Sequence, residues 1–130
     1  MAELLSFAAV EQGVSDWLWE QTSIAAGPTV PNPRPGEFVE VMRTGGARPS
    51  MVTETAQVTV LTSAATRERA EVLANEARSV MDRIRVVDGH TVYAVSEVGG
   101  PAWSPDPDTD RPRFQFTVIL HIRLTTTQAP

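Results

Sequence analysis

One stretch near the end of the chain limits the available folds more than any other. Phe114, Phe116, Val118, Leu120, Ile122 and Leu124 place an apolar side chain at every second position, alternating with Gln115, Thr117, Ile119, His121 and Arg123. Side chains on a strand leave on opposite faces with period two, whereas a helix would scatter these residues around its axis. Residues 112–124 are therefore predicted to form a long strand with one apolar face. That face needs a cover. The best candidate is a helix over residues 66–84, where Ala70, Leu73, Ala74, Ala77, Met81 and Ile84 recur at i, i+3, i+4, i+7 spacing. The expected core joins the two: Val14, Leu18, Val58, Val60, Leu73, Ala77, Met81, Phe116, Val118 and Leu120.

The rest of the chain is read around that pair. A first helix over residues 6–21 would put Phe7, Val10, Val14, Trp17, Leu18 and Gln21 on one face. Gly13 is its weak point, costing about 1 kcal/mol relative to alanine. Ala26-Gly27-Pro28 should stop it, the glycine as a left-handed cap and the proline as a barrier. Pro31, Pro33 and Pro35 then force a stiff, extended connection. Strands are predicted at residues 37–43, 54–61 and 91–98. The first carries Val39 and Val41 on one face and Phe38 and Met42 on the other, so neither face is freely solvated; Phe38 and Met42 suit either a partner or the underside of the first helix. In the second, Val58 and Val60 point inward. Ser63 or Thr66 caps the following helix, with Glu68 near its positive end. Asp88-Gly89 signals a turn.

Residues 44–53 and 99–111 read as long loops rich in glycine, proline and polar residues. The strands flanking the second loop can pair antiparallel, and the passage from 54–61 to 91–98 through the helix suggests a parallel crossover. The expected fold class is α+β: a mixed, mainly antiparallel four-stranded sheet with two helices packed on one face, in a single domain over residues 1–130 whose last six residues, 125–130, form a flexible tail.

Composition narrows function. A chain of 130 residues can bury roughly 65–70% of its unfolded surface without metal or disulfides. It has no cysteine, which removes thiolate zinc sites and cysteine nucleophiles and suits a reducing compartment. No apolar run is long enough for a membrane span, and no signal peptide is expected. The net charge of −5 argues against gaining affinity from nucleic-acid phosphates. All 11 basic residues are arginine, which fits a GC-rich genome better than a special demand for bidentate pairing.

Chemistry finds little support in the motifs. Asp106, Asp108 and Asp110 open like an EF-hand loop, but that loop needs glycine and glutamate where Arg111 and Thr117 stand, so the stretch reads as a solvated turn. Gly45-Gly46 lies in neither phosphate-binding glycine pattern and reads as a hinge. His90 sits beside a turn and His121 on the outward face of the last strand, neither with a serine–acid pair or a second histidine at ligand spacing. No catalytic, metal or cofactor residue is assigned, and the chain is not read as an enzyme. What remains suits protein contact. Arg43, Gly45, Gly46 and Arg48 lie around one predicted loop, and Trp103 lies in the other, either as an exposed anchor or folded back over the sheet edge.

In order, the chain carries Val10-Glu11-Gln12-Gly13-Val14-Ser15-Asp16-Trp17-Leu18, then Val30-Pro31-Asn32-Pro33-Arg34-Pro35, Val41-Met42-Arg43-Thr44-Gly45-Gly46 and Ala64-Ala65-Thr66-Arg67-Glu68. It ends with Val98-Gly99-Gly100-Pro101, Pro105-Asp106-Pro107 and Arg113-Phe114-Gln115-Phe116-Thr117-Val118. In that order and spacing it resembles the tail terminator proteins of long-tailed (siphovirus-type) phages of actinobacteria, related in fold to the small lambda-type minor tail proteins. The resemblance implies a structural virion protein, made in the host cytoplasm, that forms a homohexameric ring at the head-proximal end of the tail. The implied partners are further copies of itself, the major tail tube protein and the head–tail connector or stopper protein. DNA would pass through the ring without specific binding, and neither cofactor nor membrane is involved. Given such a role, Arg43, Gly45, Gly46, Arg48 and Trp103 in the two predicted loops are the expected contacts to neighbouring subunits or the tube. Another neck component is the alternative within that class, separated by which end of the tail it binds. A small α+β enzyme is the alternative outside it, and a gene for a major tail protein next door would discriminate.

Overall fold

The computed structural model describes residues 3–128. Its elements run β1 (Glu3–Ser6), α1 (Val10–Thr22), β2 (Ala26–Gly27), β3 (Phe38–Ala47), β4 (Thr53–Ser63), α2 (Arg67–Met81), β5 (Val86–Val87), β6 (His90–Trp103), β7 (Arg113–Arg123) and β8 (Thr125–Gln128).

β7 follows its alternation. Phe114, Phe116, Val118, Leu120 and Ile122 are buried, while Gln115, Thr117, Ile119 and His121 on the other face are half-buried. β4 has the same phase, with Ala56, Val58 and Val60 fully inside. α2 supplies the cover: Ala70, Leu73, Ala74, Ala77 and Met81 form its buried stripe, and Ile84 joins the core just past its end. All ten residues expected in the core are buried.

The predicted architecture is incorrect. Among the described residues 46% are strand and 22% helix, so the molecule is mainly β, and in place of a four-stranded sheet with helices on one face it has a curled six-stranded sheet and a separate two-stranded one. The larger sheet has the order β2-β3-β4-β7-β6-β5; the smaller pairs β1 with β8. β2 and β5 are two residues each, too short for any periodicity to reveal. β4 and β6 both pair antiparallel to β7 and so run parallel to each other, but β7 lies between them and the expected crossover pair does not form. A central position satisfies the backbone donors and acceptors of the most apolar strand on both edges. Among the described residues the one parallel pairing is β2 with β3.

Both predicted loops are partly strand. β3 continues through Gly45, Gly46 and Ala47 opposite Gln57, Ala56 and Thr55, leaving only residues 48–52 as the turn. A register shift between Arg43 and Gly45 absorbs the odd residue as a bulge. β6 continues to Trp103, which pairs with Phe114, through three such shifts. Glycine and proline weaken a strand pattern read locally, yet bulges let these segments keep pairing with a regular neighbour. The tail expected over 125–130 is likewise strand in its first four residues, Ser6 pairing with Thr125 and Glu3 with Gln128; residues 129 and 130 lie outside the described residues.

The helix ends also differ from expectation. α1 begins at Val10, so Phe7 precedes it and is exposed, as is Gln21 near its other end. It stops at Thr22 because Ser23, not the glycine, takes the left-handed conformation at φ 58° and its N–H donates to Trp19 O. Ala26-Gly27 then pairs with β3 instead of capping. Trp17 is half-buried, and its Nε1 donates to Val80 O at 2.8 Å, tying α1 to α2. Of the two candidate caps for α2 it is Thr66, whose Oγ1 accepts from Arg69 N at 3.2 Å.

Candidate functional site

The residues expected to make contacts do not form one patch. Gly45 and Gly46 lie where β3 runs toward its turn, opposite the first half of β4, whereas Trp103 is joined through Phe114 to Thr62 at the far end of the same strand. Seven residues of extended chain separate Thr55 from Thr62, roughly 24 Å at about 3.4 Å per residue.

At the first end, Arg43 is committed to its own fold. Its backbone N–H donates to Glu11 Oε2 at 2.9 Å and its Nε to Gly45 O at 3.2 Å. The guanidinium also lies 3.5 Å from Glu54 Oε2. Glu54 is 5% exposed, and its Oε1 is buried without a hydrogen-bond partner. A charge at this position breaks the inward run of Ala56, Val58 and Val60, and that phase was the one sequence signal that could have found it. Gly46 is required by close approach: a Cβ there would overlap Thr55 O and crowd the Arg43 guanidinium. Gly45-Gly46 is thus part of a paired strand, not a hinge in a loop. Arg48, at the turn, donates to Met51 O at 3.2 Å and sits 5.2 Å from the Phe7 ring centroid. Met51 and Val52 beside it are largely exposed.

At the other end, Trp103 is folded back, and a good part of it is still exposed. Its ring meets Phe114 edge-on at 5.5 Å, and the Arg67 guanidinium lies 4.3 Å from its centroid. Such a stack is worth about 0.5–1 kcal/mol at an exposed site. Nearby, the aspartate turn is more than a solvated loop. Asp106 is buried; its Oδ1 accepts from Asp108 N at 2.9 Å and its Oδ2 from Arg34 at 3.0 Å. The Asp108 N–H first, and Arg34 with it, holds the Asp106 carboxyl below the usual aspartate range. Arg111 donates to Gly36 O. Arg34 and Arg111 therefore bind the proline segment to the β6–β7 loop, a contact across more than 70 residues that no local pattern announces.

Chemical candidates remain thin. Ser96 Oγ lies 3.0 Å from His121 Nε2, so the histidine does have a serine neighbour that the sequence did not reveal. The pair stands on the outward sheet face beside Tyr93, and among the described residues no carboxylate bonds the ring. A cleft of about 390 Å³ between α2 and β6 is lined by Asn75, Arg78, Ser79, Asp82, Val95 and Glu97, and Arg78 pairs with Glu97 there. Among the described residues no three His, Asp or Glu side chains gather as metal ligands, and no helix is long and apolar enough to cross a membrane. No protein-family model matches this chain, and no curated protein matches it.

Proposed function

We propose that this chain is a tail terminator: a structural protein that forms a six-membered ring on the head-proximal end of a long phage tail tube, ends tube growth and joins the tail to the head–tail connector. The observation that carries the reading is the order and spacing of the short motifs from Val10 to Val118, which spans nearly the whole chain. Three further features support it. The β3–β4 turn exposes Met51 and Val52, and the β1–β8 ribbon packs chiefly on itself, so both offer surface that one copy leaves unburied. A ring needs two different, complementary patches on each subunit; the β3–β4 turn with the adjoining ribbon offers one, and the opposite end of the sheet, where Trp103 is part-exposed, offers another. The net charge of −5 suits a channel through which DNA slides without sticking.

The test is electron microscopy of tails assembled with and without this chain. Six copies at the head-proximal end, and tubes of uncontrolled length or without heads when the chain is missing, are the expected results. One copy per tail, or copies repeating along the whole tube, would overturn the reading.

A further inference from the structure

A buried histidine ties the β1 side of the ribbon to the main sheet, while β8 continues from β7 and Leu124 N donates to Val52 O at 2.8 Å. His90 opens β6 and is 5% exposed. Its Nδ1 lies 2.8 Å from Asp88 O and its Nε2 lies 2.9 Å from Ser6 O. Both partners are carbonyl oxygens, which only accept. A neutral imidazole has one N–H and one lone pair, so it can satisfy one of these carbonyls and must turn a lone pair on the other. Only the imidazolium donates to both. The neutral ring has one alternative on the Nε2 side: the Thr125 hydroxyl, 3.5 Å away, which can donate. Ser6 and Thr125 are cross-strand partners at the base of the ribbon, so losing the proton shifts the ring's hold from β1 toward β8.

The same turn fixes the next segment. Asp88 Oδ2 accepts from Ala9 N at 2.7 Å, where α1 begins without a side-chain cap of its own. That engages the Asp88 carboxylate. The other charged groups of the neighbouring elements are turned elsewhere. Arg85 donates to Asp82 O and Ile84 O, Glu11 accepts from Arg43 N, Arg123 lies by Tyr93, and Glu3 is exposed.

The geometry points to His90 as a proton-dependent staple of the β1–β8 ribbon: protonated, it bridges Ser6 and Asp88 and holds the ribbon base; neutral, it releases Ser6 and loosens it. An isolated two-stranded ribbon is marginal in water, so one hydrogen bond at its base matters to its order. The sign follows from which form makes both bonds. The charged form belongs to the closed ribbon, so the staple is complete at low pH and is lost as pH rises. This inference does not depend on the ring-forming role.

Amide hydrogen exchange tests it in the full-length protein, corrected for the intrinsic pH dependence of exchange and with β4 as internal reference. Between about pH 5.5 and about pH 8, the range in which histidine titrates, protection in β1 and β8 should fall by roughly five- to tenfold, the worth of one net hydrogen bond. In His90→Gln that fall should vanish. Ring nitrogen NMR on the wild-type chain provides a second reading should the variant not fold. There, loss of the Nε2 proton should coincide with the loss of ribbon protection. A ring that titrates while the ribbon stays unchanged, a ring neutral throughout the range, or the same pH dependence in His90→Gln would each overturn the proposal.

Discussion

At the scale of single residues, the structure reverses the meaning of Gly13. On helix propensity alone alanine would gain about 1 kcal/mol there. In the fold, however, a Cβ on Gly13 would overlap Val87 Cγ2 and stand 3.0 Å from Asp88 N. Valine is stiff and the second contact is backbone, so the overpacking cost of about 1–3 kcal/mol dominates. Gly13→Ala is expected to lower the urea midpoint; a raised midpoint would show that the turn gives way easily. Arg43 and Glu54 supply a second case. Removing the arginine leaves a buried carboxylate uncompensated, so Arg43→Ala should cost about 3 kcal/mol, the lower end for breaking a buried pair because the arginine is itself a third exposed. Arg48→Ala, which removes only a surface contact, should cost far less in the same denaturation experiment. Asp106 gives a pH prediction. Its folded value lies below the unfolded one, so its contribution is present at neutral pH and fades as pH falls through the usual aspartate range toward the folded value. Asp106→Asn should therefore differ most from wild type near neutrality and converge with it in acid, as thermal melts across pH would register. Glu37 and Glu97 are held low in the same sense by hydrogen bonds from Arg69 and Arg78, but both pairs are solvent-exposed and weigh less.

At the scale of elements, the two long periodic segments were legible and the irregular ones were not. α2 was readable because cap, stripe and charge agree: Thr66 before it, the small and aliphatic stripe within it, Glu68 in its first turn. Thr66→Ala should cost about 1 kcal/mol, within the usual 0.5–2 kcal/mol for a lost N-cap. Leu73 is 1% exposed, and Leu73→Ala should cost about 2–5 kcal/mol if the site does not collapse. Equilibrium unfolding measures both, and a Leu73 variant as stable as the Thr66 one would contradict the packing of α2 on β4 and β7. The elements that escaped notice share one property. β1, β2, β5 and β8 span two to four residues each, and β1 and β8 find their partners only at the opposite end of the chain. In so short a stretch, alternation cannot be told from chance.

At the scale of the whole molecule, the exposed parts are scattered. Arg48 with Met51 and Val52 lies at one end of the sheet, where the terminal ribbon adjoins it, and Trp103 with Arg67 lies at the other. Met51 is 78% exposed, so Met51→Asp should leave the melting temperature of the free chain nearly unchanged. If the β3–β4 turn docks onto a neighbour or the tube, the same substitution should sharply reduce ring formation on tails counted by electron microscopy. Unimpaired rings would move docking to another surface. Because 44–47 and 99–103 are paired strand, any ordering on assembly is confined to the short remaining turns, which lowers its entropic cost.

What the sequence determined by itself is phase: which side of β7 and β4 is apolar, which stripe of α2 covers them, and that α1 joins the same core through Val14 and Leu18. Those are properties of the chain's own side-chain geometry, with periods of 2 and 3.6 residues that need no partner to be read. Tertiary structure alone decided how many strands the sheet has, that β7 separates β4 from β6, and that the chain ends pair. It also decided that Arg43, Asp106 and His90 face groups more than 30 residues away or across a turn. Pairing order and long-range polar contacts depend on which distant segment reaches an unpaired backbone edge or a buried charge, and their free energy appears only once the core has brought those segments together.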